Sequence, residues 1–174
     1  MRPSLNPEAE FAYGSGLINP IKATYPGLVY DIDAIDYAKL LCGEGYITDA
    51  VTQISGSKNF TCSKENSLAV GDLNYPSFGL SISLSETFSR VYRRTVTNVG
   101  SPKSTYKAKV VAPKGLKITV QPSVLSFAAI GQKLSFTVKL EGKVDEQLVA
   151  SASLVWDDGT YKVRSPIVVY VKSI

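Results

Sequence analysis

Histidine is absent from all 174 residues. A Ser-His-Asp or Cys-His arrangement therefore has no base in this chain, which removes the commonest routes to nucleophilic catalysis. Gly14-Ser15-Gly16 looks only faintly like a nucleophile turn, because the G-x-S-x-G spacing and a base partner are missing. The same glycines with Asn19 lack the third glycine of a dinucleotide loop and stand in no βαβ context. Asp31, Asp33 and Asp36 gather three carboxylates. They lack the spacing and closing glutamate of an EF-hand, so helix capping is the simpler role and no metal or other cofactor is assigned. Cys42 and Cys62 without histidine do not make an ordinary structural zinc site. Two free thiols or one disulfide remain open; a disulfide would contribute roughly 3 kcal/mol by loop entropy. Asn59-Phe60-Thr61, directly before Cys62, is an N-glycosylation sequon. Cysteines and sequon together favour an oxidising, secretory history. Taken alone, the chain is not equipped as an enzyme.

The elements around these residues fall into three segments, 1–30, 31–73 and 74–174. In the first, Phe11-Ala12-Tyr13 reads as a short strand, and Gly14 and Gly16 permit close backbone approach. Asn19-Pro20 offers an N-cap and a first helical residue for a turn over Pro20 to Thr24, which stops at Tyr25-Pro26-Gly27. A lone strand and one helical turn do not bury their own apolar faces. Phe11, Tyr13, Leu17 and Ile18 thus lack a local partner and are expected to dock on another body. Burying four such side chains is worth about 6–12 kcal/mol before entropy costs.

The second segment reads as a small helical connector. Asp33 caps a helix over Ala34 to Leu41 with Ile35, Ala38 and Leu41 as its apolar stripe, Asp36 in its first turn and Gly43 as its stop. Thr48 is expected to cap a second helix through Ile54. The third segment is strand after strand: Ser77–Ile82, Thr87–Val99, Thr105–Val111, Leu116–Val120, Val124–Phe127, Lys133–Leu140, Ala150–Trp156 and Tyr161–Val171. Leu134, Phe136, Val138 and Leu140 alternate with polar residues, and turns fall at Gly100-Ser101-Pro102, Pro113-Lys114-Gly115 and Asp157-Asp158-Gly159. This is the profile of an antiparallel β-sandwich, with Trp156 and Tyr106 as core anchors.

Charge is split. Residues 1–50 carry three basic and seven acidic side chains, and the rest of the chain holds a balance of +8 within the total of +4. From Arg90 to Lys117 there are eight Lys or Arg and no Asp or Glu. A nucleic-acid patch is one reading. Lys107 and Lys109 alternate with Tyr106, Ala108 and Val110, so the wet face of a strand explains the run better and no nucleic-acid partner is expected. No apolar run reaches membrane-spanning length, and no apolar block follows Arg2 as in a signal peptide.

Five runs carry a resemblance: PGLVYD at 26–31, DYAKLLCGEGY at 36–46, DLNYPSF at 72–78, RTVTNVG at 94–100 and VRSPIVV at 163–169. Together with Phe11–Pro20 they resemble plant subtilisin-like serine proteases of the cucumisin type, in order and over nearly the whole chain. The resemblance implies a mainly β fold. Residues 74–174 would be the fibronectin type III-like sandwich, preceded by the connector and by the last strand and helix of a subtilisin-like α/β catalytic domain. It implies pairing of Cys42 with Cys62, secretion, and a catalytic Asp, His and Ser all lying upstream of Met1. The implied partner is the N-terminal catalytic fragment, with peptide substrate reached through it. Tyr161 departs from the family, where many members have histidine in the W-x-D-G-x-H run; packing or a cross-strand contact is the role expected of it. Two other readings compete: an independent β-sandwich module binding protein or glycan, and a self-contained hydrolase of unusual mechanism, for which no residue pair is nominated.

Overall fold

A computed structural model describes residue 6 and residues 8–57, 59–143 and 149–171. The remaining positions, Arg2 among them, lie outside the described residues. The chain opens with two helical turns, α1 (Glu10–Tyr13) and α2 (Pro20–Ala23), and a two-residue strand β1 (Leu28–Val29). The connector follows as α3 (Ala34–Gly43), α4 (Thr48–Ser55) and a 3-10 turn at Val70–Asp72. Eight strands then succeed one another: β2 (Phe78–Ile82), β3 (Thr87–Asn98), β4 (Ser104–Val111), β5 (Leu116–Gln121), β6 (Val124–Phe127), β7 (Lys133–Lys143), β8 (Val149–Asp157) and β9 (Lys162–Val171).

These strands form two sheets, β1-β3-β7-β5 and β2-β9-β8-β4-β6, packed face to face. Period-2 alternation sends Phe136, Val138 and Leu140 of β7 and Ala150, Ala152, Leu154 and Trp156 of β8 inward. Trp156 is fully buried and meets Phe136 edge-on at 5.1 Å, while Tyr106 meets Phe127 at 6.0 Å. The sandwich departs from a purely antiparallel one in a single pair. β2 runs parallel to β9, with Phe78 opposite Ile167 and Ile82 opposite Val171. The first and last strands of the second segment of sheet are far apart in sequence, so no tight turn forces them to run in opposite directions. β1 is also outside the expected set. It pairs Leu28 with Asn98 and puts Leu28 into the core, so the sandwich draws a strand from the first thirty residues.

Three polar side chains explain why the recognisable runs have the residues they have. Arg94 points into the sandwich with 4% exposure. It donates to the carbonyls of Gly71, Tyr75 and Arg93, each at 2.8 Å, and stacks over Phe78 at 4.7 Å. Burial holds its pKa below the ordinary arginine value. Asn74 accepts from Thr95 N and donates to the carbonyls of Thr95 and Asp31, so one side chain pairs with β3 as a strand would. Asn98 donates to the carbonyls of Ser101 and Ala129 and accepts from Gly100 N, which ties two turns together.

In the connector, Asp33 and Asp36 form a capping box at the start of α3. The apolar stripe is narrower than expected: Ala38 is buried, Leu41 is half-buried and Ile35 is exposed. Gly43 is the last residue of α3 rather than a stop beyond it, and its missing Cβ makes room for the Leu68 carbonyl oxygen, which would lie 2.0 Å from one. Thr48 is not the cap of α4; Ile47 holds that place. The Thr48 hydroxyl is committed elsewhere, accepting from Cys62 N at 3.0 Å.

Gly27 decides how the leading segment joins the sandwich. Its φ is +82°, and a Cβ would come within 2.7 Å of Tyr161 and 2.9 Å of the Tyr106 hydroxyl. Tyr161 therefore packs over Gly27 and Gly100, the role expected of it. Gly27→Ala is expected to destabilise the protein by about 2–4 kcal/mol, from left-handed strain and overpacking together. A double-mutant cycle with Tyr161→Gly, which removes both the Cβ and the ring that the methyl group would meet, should recover part of that loss. Strict additivity would show that Tyr161 is not what the methyl group strikes.

Candidate docking interface

The apolar residues read from the sequence as partnerless, Phe11, Tyr13, Leu17 and Ile18, are split by the structure into two groups. The first is anchored. Phe11-Ala12-Tyr13 is not the expected strand but part of the α1 turn. Its backbone is satisfied through local bonds from Phe11 N to Glu8 O and from Ala12 N to Ala9 O. Glu10 Oε1 accepts from Ser151 Oγ at 2.9 Å and lies 3.6 Å from the Arg164 guanidinium. Arg164 also donates to Ser15 O. The Phe11 ring meets Tyr170 edge-on at 5.2 Å, so it does have a local partner, although it remains 62% exposed. Phe11, Gly14 and Ser15 border a cleft of about 260 Å³ whose floor is Phe78, Pro166 and Tyr170. Tyr13 is half-buried. Glu10 Oε2 is buried without a hydrogen-bond partner.

The second group is bare. Leu17 is 85% exposed, Ile18 and Ile21 are each 86% exposed and Tyr25 is 70% exposed. Asn19 caps α2 by accepting from Lys22 N, which fixes the backbone that carries them. Ile21 and Tyr25 are additions to the row read from the sequence. Their signal was available, since a four-residue helix has no second face to hide them. Beside this row, α2 and the β8–β9 hairpin border a groove of about 510 Å³ lined by Ile21, Lys22, Tyr25, Tyr161, Lys162 and Arg164 among others.

The remaining sequence-predicted positions do not join this surface. Cys42 and Cys62 form a disulfide with a Cα separation of 5.4 Å, in the connector. Asn59 is exposed in the loop ahead of it. On the other side, Asp31, Asn74, Arg93, Thr95 and Lys133 border a polar groove of about 610 Å³. There Asp31 accepts from the Thr97 hydroxyl and pairs with Lys133 Nζ at 3.0 Å, and these bonds hold its carboxyl below the usual range. A depressed carboxylate adds stability above its ordinary value of 3.8, and that stability is lost as pH falls through the lowered folded value. Asp31→Asn is expected to flatten the acid limb of the stability profile below about pH 4, read by urea midpoints. An unchanged limb would remove this pair from the acid response. Among the described residues no cluster of three Cys, Asp or Glu could hold a metal ion.

Residues 72–169 match the family model for the fibronectin type-III domain. The chain belongs to the fibronectin type-III domain family. Its type-III sandwich and the segments before it match the C-terminal portion of plant subtilisin-like proteases. Subtilisin-like protease SBT4.3 of Arabidopsis thaliana is 48% identical over 167 residues, covering 95% of this chain and 22% of the relative. Subtilisin-like protease SBT4.13 of the same plant is 49% identical over 165 residues, covering 92% and 22%. The chain thus spans under a quarter of the length of these relatives. Among solved structures, a FixG-related protein from Vibrio parahaemolyticus superposes with a TM-score of 0.41 at 12% identity, over 50% of this chain and 82% of that one; a likeness this slight carries no argument.

Proposed function

We propose that this chain is the C-terminal part of a secreted subtilisin-like serine endopeptidase, and that it braces the catalytic body. The observation that carries this reading is the bare row of Leu17, Ile18, Ile21 and Tyr25 on and around the capped helical turn α2. Four large apolar groups held out in water are what one side of an interface presents when its partner is removed. The catalytic work is acyl transfer by a Ser-His-Asp triad on that partner, since this chain has no histidine. The sandwich acts indirectly, by positioning and stability. The reading as an independent module predicts a loose leader, whereas Glu10 ties the leader to β8 and β9.

Secretion rests on the Cys42–Cys62 disulfide and on the exposed sequon at Asn59. Peptide-N-glycosidase treatment of the native protein is expected to lower its intact mass and convert Asn59 to aspartate; an unmodified Asn59 peptide would contradict a glycan there. The functional reading is tested with a covalent serine-hydrolase probe on the native protein. A label on a polypeptide region outside these 174 residues supports it. A label on a serine of this chain, or none on anything associated with it, overturns it.

A further inference from the structure

We infer that the groove between α2 and the start of β9 receives an apolar ridge of the catalytic body that is edged by carboxylates. The inference rests on the functional reading above and adds the chemistry of the partner surface. One wall of the groove is apolar and aromatic, through Ile21, Tyr25 and Tyr161. The other charged groups in its lining are Lys22, Lys162 and Arg164, and no Asp or Glu lines it. A purely apolar partner would desolvate Lys22 and Lys162 with only the cross-strand Asp157 to set against the cost, Arg164 being held by Glu10 already. A partner with carboxylates at the rim satisfies them and fixes the register of the apolar contact.

The same strand already recognises this chemistry once. Arg164 holds the Glu10 carboxylate and the Ser15 carbonyl of the leading segment. The groove continues that pattern towards α2, where Lys22 and Lys162 are exposed and, among the described residues, make no direct salt bridge, although Lys162 stands opposite Asp157 in the β8–β9 ladder. The occupant is therefore a protein surface rather than a polyanion, because the apolar row of Leu17, Ile18 and Ile21 adjoins the cations.

Amine acetylation and carbodiimide coupling of the native protein test this, followed by peptide mass mapping. Labelling of Lys22 and Lys162 is expected to fall about tenfold in the native assembly relative to the dissociated chain, as for side chains withdrawn at an interface. Lys107 and Lys117, elsewhere on the sandwich, should label equally in both states. Carbodiimide should couple Lys22 or Lys162 to an Asp or Glu of the catalytic region. Coupling to a second copy of this chain would overturn the inference. So would equal labelling of Lys22 and Lys162 in both states; if the catalytic region is nevertheless present in that sample, the functional reading survives and only the carboxylate-edged surface fails. Should no catalytic region be present at all, the functional reading fails and this inference falls with it.

Discussion

Arg94→Ala is expected to lower the free energy of unfolding by about 3–5 kcal/mol, because it orphans buried carbonyls that each cost about 1–3 kcal/mol when left unpaired. The carbonyls of Gly71 and Tyr75 are part-buried, and the guanidinium that reaches them is itself almost wholly buried. Loss of the stack over Phe78 and Tyr92 adds to the effect. Arg94→Met keeps much of the packing and removes the bonds, so it separates the two contributions. Trp156, the one tryptophan, is buried in the same core and reports unfolding by its fluorescence. A loss below about 1 kcal/mol for Arg94→Ala would show that the 71–77 segment is held by other means.

The second large effect concerns association. Replacing Leu17, Ile18 and Ile21 together by aspartate is expected to weaken attachment to the catalytic body by several kcal/mol, since burial of such side chains contributes about 1.5–3 kcal/mol each. The chain's own stability should change little, because all three side chains already stand in water. The two readouts therefore move apart: retention of the partner under native conditions falls while the urea midpoint holds. A variant that loses stability but keeps its partner would place these residues in the fold and not in the interface.

How far the sequence is legible depends on whether the governing force is local. Alternation is local, and it places the strands from Phe78 to Val171 to within a few residues. Asp33 and Asn19 cap the helices they precede because the bond lies within three residues. Contacts that close over long separations are not legible in this way. The parallel pairing of β2 with β9 depends on which edge is free after the sandwich has formed. β1 is two residues beside a glycine and carries no period. Arg94 sits in a basic run and looks like its wet neighbours, yet it is the member of that run that turns inward, at a position of the same parity as Tyr92 and Val96. That parity was the available signal. Phe11 to Tyr13 is apolar enough for a strand, but a strand needs a partner edge, and Glu10 is drawn instead to Ser151 and Arg164.

At the candidate docking surface the legible part was the want of a partner. Leu17 and Ile18 remain bare in the folded chain, whereas Phe11 and Tyr13 are partly taken up by the sandwich. Two of the three cations beside the row, Lys162 and Arg164, come from β9, some 140 residues later, and only the fold brings them to α2.

The most direct measurement is the intact mass of the native protein captured without denaturant, taken before and after dissociation and reduction. The account predicts that these 174 residues travel with a polypeptide several times larger that reacts with a serine-hydrolase probe, either as one continuous chain or as a stable complex of two. A solitary 18.8 kDa species, folded and soluble with Leu17, Ile18 and Ile21 still in water, would contradict it.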